Sequence, residues 1–200
     1  MSQYQNDIQV GRVGIIGANA VGIGIAVSLL DAGVPVTLFE LDRESLDRGI
    51  ALARPEADGH DRRMALLAGT VNFHHLKDCD LILDAVDTDR AGKEKLFRRL
   101  DQVAKPGAVL MSHTSQVGID HIAGCTRRPG DVLGLHVTSS PTAGDTWKIV
   151  PGKDTSGETL GTVKTLAGKL HRLPAVSGPG HRIADATNGA ASWSIDRALD

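Results

Sequence analysis

The sequence predicts an α/β fold: a doubly wound, mostly parallel sheet with helices on both faces and a short C-terminal helix. Three observations carry this. Short β-branched runs alternate with longer helical stretches, the pattern of a parallel sheet built from strand–helix–strand units. A chain of 200 residues suits one large α/β domain. The segment Gly17-Ala18-Asn19-Ala20-Val21-Gly22 joins the first strand to the first helix.

The elements follow in order. "RVGIIG" (12–17) reads as a strand, and Ala20 to Ala32 as a helix that Gly33 stops. "VPVTLFE" (34–40) is a second strand and "RESLDRGIALAR" (43–54) a helix closed by Pro55. A short helix is expected over 60–69, a third strand over 70–75 and a fourth over 80–86. The segment 89–104 is helical, with Leu96, Leu100 and Val103 on one face. Further strands are expected over 107–112, 130–137 and 146–152, a helix over 156–172 and a last strand over 173–178. The divisions expected are a flexible N-terminus (1–9), one nucleotide-binding domain (10–180) and a helical tail (181–200).

Composition excludes several classes of function. With 41% hydrophobic and 23% charged residues, the chain has the make-up of a folded globular protein. A formal net charge of −2 gives no reason to expect a nucleic-acid partner. Aromatic residues are only 3%, too few for base-stacking platforms. The longest apolar run, Ala20 to Leu30, is too short to span a bilayer, so no membrane partner is expected. The polar start "MSQYQNDIQ" lacks a signal pattern, and a cytoplasmic location is expected. Cys79 and Cys125 set no disulfide framework. His74, His75 and Cys79 form no closed ligand set, and capping accounts better than a metal for Asp84, Asp87 and Asp89. No metal site is expected.

The turn after the first strand is the main chemical signal. It follows Gly-x-Gly-x-x-Gly except that Asn19 replaces the middle glycine. Placed between a strand and a helix, this is the pyrophosphate-binding turn of a Rossmann-type domain. Asn19 tolerates unusual backbone angles; its amide either crowds the phosphates or donates to them. Glu40 closes the second strand. An acid there accepts hydrogen bonds from the adenosine ribose hydroxyls and repels a 2′-phosphate, so NAD is favoured over NADP.

From Arg12 to about Ala184 the chain resembles the NAD-binding domain of the 3-hydroxyacyl-CoA dehydrogenases. The resemblance rests on "RVGIIGANAVGIGIA", "VTLFELDRESLDRG", "DCDLILDAVDTDRAGKEKLF", "HTSQVGIDHIAGCTRRPGDVLGLHV" and "SGPGHRIADA", in the family's order. It implies NAD as cofactor, held by Gly17, Asn19, Ala20, Val21, Gly22, Glu40, Ala85, Val86 and Lys93. It implies a small-molecule 3-hydroxy or 3-keto substrate, carried in the family as a CoA thioester. His136 matches the family's general base. Ser115 matches the serine that hydrogen-bonds the reacting oxygen, and Lys93 a lysine near cofactor and substrate.

The chain departs from the family at other positions. The glutamate that pairs with the catalytic histidine falls on Lys148, one asparagine on Ser139 and another on Ala184, and a cofactor-facing acid on Thr88. A carboxylate beside the base stabilises the imidazolium formed during oxidation; a lysine opposes it. Asp145 replaces that carboxylate only if a bulge brings it to the same strand face. The segment 49–69 is too short for the family's helical hairpin, and the chain ends where its helical C-terminal domain would begin.

Two functions are expected from this pattern. One is an NAD-dependent oxidoreductase with a degraded catalytic site, in which His136, Ser115 and Lys148 are the catalytic-site residues. The alternative is a non-catalytic NAD(H)-binding or partner-binding protein derived from the same domain. A cut-down piece of a larger enzyme is a third possibility. The apolar surface normally covered by the helical domain, with Trp193, Ile195 and Leu199 in the tail, points to a homodimer.

Overall fold

The structure, a computed structural model, describes residues 9–54, 62–113, 118–140 and 144–176. The elements are β1 (Val13–Ile16), α1 (Ala20–Asp31), β2 (Val36–Phe39), α2 (Arg43–Ala53), β3 (Leu67–Thr70), β4 (Leu81–Asp84) and α3 (Arg90–Val103). They continue with β5 (Val109–Ser112), α4 (Ile119–Ala123), β6 (Val132–Ser140), β7 (Gly144–Pro151), α5 (Gly157–Lys169) and β8 (Leu173–Val176). The strands form one eight-stranded sheet in the order β3-β2-β1-β4-β5-β6-β7-β8. Strands β1 to β6 are parallel, β7 is antiparallel to β6, and β8 is parallel to β7. The expected doubly wound, mostly parallel sheet is what the chain forms.

Every residue of β1, β2, β4 and β5 is buried, because helices cover both faces of the sheet. On one face, Ile15, Leu38 and Leu83 pack with Leu29 of α1, Leu46 of α2 and Val163 of α5. On the other, Ile16, Ile82, Leu110 and Val150 pack with Leu96 and Phe97 of α3 and Ile122 of α4. Local chemistry starts the helices. Asn19, Asp42, Asp89 and Ser156 each accept a hydrogen bond from a backbone N–H in the first turn of the helix that follows.

Several expected elements are corrected. The third strand is Leu67–Thr70, not 70–75, and Phe73–Asp78 is a 3-10 helix. Asn72 accepts from the His74 N–H and ends the strand, and Phe73 and Leu76, one 3-10 turn apart, are both buried. The short helix expected over 60–69 is a 3-10 helix at Arg62–Leu66. Helix α4 is additional; Gly118 is its N-cap, and Ile119 and Ile122 are buried. The strands expected over 130–137 and 146–152 extend to Ser140 and from Gly144, and they pair antiparallel. Residues 1–8, the segment 177–200 and with them the expected tail helix lie outside the described residues. Among the described residues, no helix is long and apolar enough to cross a membrane.

Candidate active site

Strands β1 and β4 are neighbours, but the chain leaves β1 toward β2 and leaves β4 toward β5. Open α/β sheets bind ligands in the crevice at such a point, beyond the carboxyl ends of the strands. The glycine turn lies there. Gly17 adopts φ 101°, and a Cβ on it would lie 2.9 Å from Val86 Cγ1. A Cβ on Gly22 would lie 2.0 Å from the Gly17 carbonyl oxygen. Both positions therefore require glycine: one for its backbone angle, the other to let α1 approach β1 closely.

Asn19, in place of the middle glycine, ties the turn together through its side chain. Its Oδ1 accepts from Gly22 N–H at 3.0 Å, and its Nδ2 donates to the Ala85 carbonyl at 2.6 Å. The side chain thus caps α1 and ties it to the end of β4. It also occupies an N–H at the helix N-terminus, where a pyrophosphate would bind. Ala20 is exposed and Val21 half-buried at the start of α1, while Ala85 and Val86 are buried after β4. Glu40 directly follows β2 and is buried. Its Oε1 accepts from Ala18 N–H at 2.7 Å and its Oε2 from Leu41 N–H at 3.0 Å. A carboxylate has four acceptor positions, so Glu40 remains able to accept from ribose hydroxyls. The cradle fits a dinucleotide: glycine is kept at Gly17 and Gly22, where a Cβ would clash, and an acid stands at the end of β2.

Lys93 lies beneath this cradle rather than at its surface. It is buried on α3, and its Nζ donates to Asp84 Oδ2 and to the Val86 carbonyl, both at 2.6 Å. Asp84, wholly buried, also accepts from Ser112 Oγ at 2.8 Å and from Val86 N–H at 3.1 Å. The expectation that Asp84 caps a helix is corrected: it is the buried anion that pairs with Lys93. Asp89 is the residue that caps α3.

Residue pairing aligns Asp84 of β4 with Ser112 of β5, Ser112 with Gly134 of β6, and Gly134 with Val150 of β7. His136 lies two residues beyond Gly134, so β6 outruns β5. Directly across the β6–β7 ladder from His136 stands Lys148. Opposed residues of an antiparallel pair share a face, with Cβ atoms about 5 Å apart. That face is the one covered by α3 and α4, since Val132 and Val150 lie on it. The ladder pairs each residue in turn from Leu133 to Ser140. It contains no bulge, which the Asp145 alternative required.

His113, immediately after β5, stacks on His136 with ring centroids 5.8 Å apart and planes 12° from parallel. Burial, then the Lys148 charge, pushes the His136 pKa below its ordinary value. Burial also lowers that of His113, helped by His136 and Lys93 and opposed by Asp84. The sequence reading missed His113, although a histidine just past a parallel strand sits on the ligand-binding edge. Ser115 lies outside the described residues. Elsewhere, Glu94, His121 and Cys125 hold ligand-type atoms within 4.8 Å of one another. Arg90 and Arg98 both bind Glu94 and oppose a cation there.

The family described as 3-hydroxyacyl-CoA dehydrogenase, NAD binding domain, matches residues 12–178. The chain belongs to this family. A peroxisomal bifunctional enzyme of Danio rerio is 30% identical over 212 residues, covering 96% of this chain and 30% of that protein. A 3-hydroxybutyryl-CoA dehydrogenase of Mycobacterium tuberculosis is 37% identical over 139 residues, covering 64% of this chain and 49% of that enzyme. The chain thus spans half or less of the length of these two relatives. Among solved structures, M. tuberculosis FadB2 superposes with a TM-score of 0.76 at 30% identity, over 85% of this chain and 64% of that one. The Escherichia coli 3-hydroxybutyryl-CoA dehydrogenase gives 0.76 at 26% identity, over 84% and 38%. The cofactor of this dehydrogenase domain is NAD, as its turn and Glu40 indicate.

Proposed function

We propose that the chain is an NAD-dependent oxidoreductase that interconverts a 3-hydroxy and a 3-keto acyl compound. The observation that carries this reading is His136, held on the overhang of β6 at the carboxyl edge of the sheet that also carries the glycine turn. Gly17, Asn19, Ala20, Val21 and Gly22 would hold the pyrophosphate, Glu40 the ribose, and Ala85 and Val86 would line the floor. Lys93 acts from below, fixing the loop after β4 through Asp84 and the Val86 carbonyl.

NAD held in this cradle would supply the acceptor for the hydride that leaves C3 of the hydroxy compound. His136 takes the hydroxyl proton as the C3–O bond becomes a carbonyl, and returns it in the reverse direction. Ser115 hydrogen-bonds the reacting oxygen. Burial favours the neutral form of His136, the form a base needs, and Lys148 opposes the imidazolium that forms. We therefore read the site as degraded for the family's thioester chemistry, with slow turnover.

The test is calorimetric titration with NAD and NADP, followed by NADH oxidation with 3-keto substrates. NAD should bind at least ~1 kcal/mol more tightly than NADP, the scale of a lost hydrogen bond plus repulsion at Glu40. His136→Ala should abolish turnover. Absence of turnover in the wild type while NAD binds overturns the catalytic reading and leaves a binding protein. The proposal extends to a cytoplasmic homodimer. Cys79 and Cys125 are both free thiols, suited to a reducing compartment, and Val176 on the terminal strand of the sheet is 45% exposed. A monomer by light scattering at high concentration overturns the dimer.

A further inference from the structure

We propose that this site takes a substrate with a free carboxylate, a short 3-hydroxy or 3-keto acid, and that Lys148 with His113 holds that carboxylate beside His136. The inference rests on the oxidoreductase reading above and names its substrate class.

Three basic side chains meet at one edge of the sheet. His136 and Lys148 are cross-strand partners on a single face, and His113 stacks on His136. Among the described residues, no carboxylate is hydrogen-bonded or ion-paired to any of the three. Asp84, the buried acid whose charge acts on His113, is already bound by Lys93, Ser112 and the Val86 N–H. The burial that pushes both imidazoles toward the neutral form leaves the Lys148 ammonium as the standing charge at this edge.

An ammonium gathered with imidazole donors at a ligand edge is an anion site when the ligand supplies the missing charge. A neutral thioester carbonyl offers the ammonium little. A carboxylate pairs with it and accepts from His113. In a 3-hydroxy acid the carboxylate is joined to the reacting carbon through one methylene, so seating it between Lys148 and His113 brings the hydroxyl to the neighbouring His136. The bound anion then stands where a stabilising carboxylate is needed. As the hydride leaves C3 and the hydroxyl proton passes to His136, the imidazolium forms beside the substrate's own negative charge. The lysine that opposes thioester chemistry becomes the specificity residue for acids.

The experiment uses the full 200-residue chain, NADH, and three probes: acetoacetate, its methyl ester and acetoacetyl-CoA. Wild type should prefer acetoacetate to the ester by at least ~10-fold in kcat/KM, and Lys148→Met should reduce that preference at least ~10-fold, chiefly through KM. Equal use of acid and ester, or a preference that Lys148→Met leaves intact, overturns the proposal. A second measurement separates it from the oxidoreductase reading. Malonate, which has no keto group to reduce, is titrated calorimetrically into the NADH-loaded chain. Binding that weakens at least ~10-fold in Lys148→Met supports the anion site, even if no probe turns over and the oxidoreductase reading fails. Absence of malonate binding to wild type, or equal binding to the variant, overturns the anion site whatever the turnover.

Discussion

Asn19 sets this turn apart from Gly-x-Gly-x-x-Gly, and His136 stands across its strand pair from a lysine. Asn19 Oδ1 occupies the Gly22 N–H, a donor that a pyrophosphate would otherwise receive. Asn19→Gly frees it, so NAD should bind more tightly by about 1 kcal/mol, roughly five-fold, by calorimetry. The cap itself loses only a few tenths of a kcal/mol, because glycine is tolerated there. Weaker binding would show that the amide donates to the cofactor instead. At His136, burial first and Lys148 second hold the pKa below the ordinary 6.5. The acid limb of the rate profile for hydroxy-acid oxidation should therefore lie below pH 6.5. Lys148→Met should move it upward, and an unmoved limb would mean that another group titrates.

Between β4 and α3, the buried Lys93–Asp84 pair acts as a strut. It joins the strand end to the helix and braces the loop containing Ala85 and Val86 through the Val86 carbonyl. Removing one partner strands the other charge in the interior, which costs about 3–5 kcal/mol. Lys93→Met should lower stability by that order in denaturant titration. The double variant Lys93→Met with Asp84→Asn should recover part of the loss, since no unpaired ion remains. An additive double variant would show that the two groups act separately. The hairpin of β6 and β7 has a different task. Its uninterrupted pairing carries His136 and Lys148 past the end of β5, so its length fixes how far the basic edge extends beyond that strand.

For the whole molecule, the cost of its basic edge shows in the pH dependence of stability. His113 and His136 both have folded pKa values depressed from 6.5. As pH falls through 6.5 the unfolded chain takes up protons before the folded one does, so folding loses stability below that value. Tm should fall between about pH 7.5 and 5.5. His113→Asn should reduce that fall, because one of the two depressed groups is gone. An unchanged slope would assign the acid sensitivity elsewhere.

The architecture was legible in the sequence because strand and helix periodicities are local, and α4, which starts at Gly118 without a side-chain cap, was missed. The glycine turn and Glu40 were legible for the same reason: spacing along the chain places them on successive strand ends. The third strand was misplaced because Asn72 ends it locally and a buried 3-10 turn follows, a pattern that period-two alternation does not separate from a strand. The family's acid position, filled by Lys148, was visible as a substitution in sequence. Its pairing with His136 depends on an antiparallel register that only the folded sheet decides. The stacking of His113 on His136 and the binding of Asp84 to buried Lys93 belong to the same class. These contacts join residues on separate strands and helices, and no local pattern encodes them. What the sequence alone determined is a nucleotide-binding sheet with an altered turn. Only the tertiary structure decided that three basic groups would share one edge, because packing of distant segments sets which charges are neighbours.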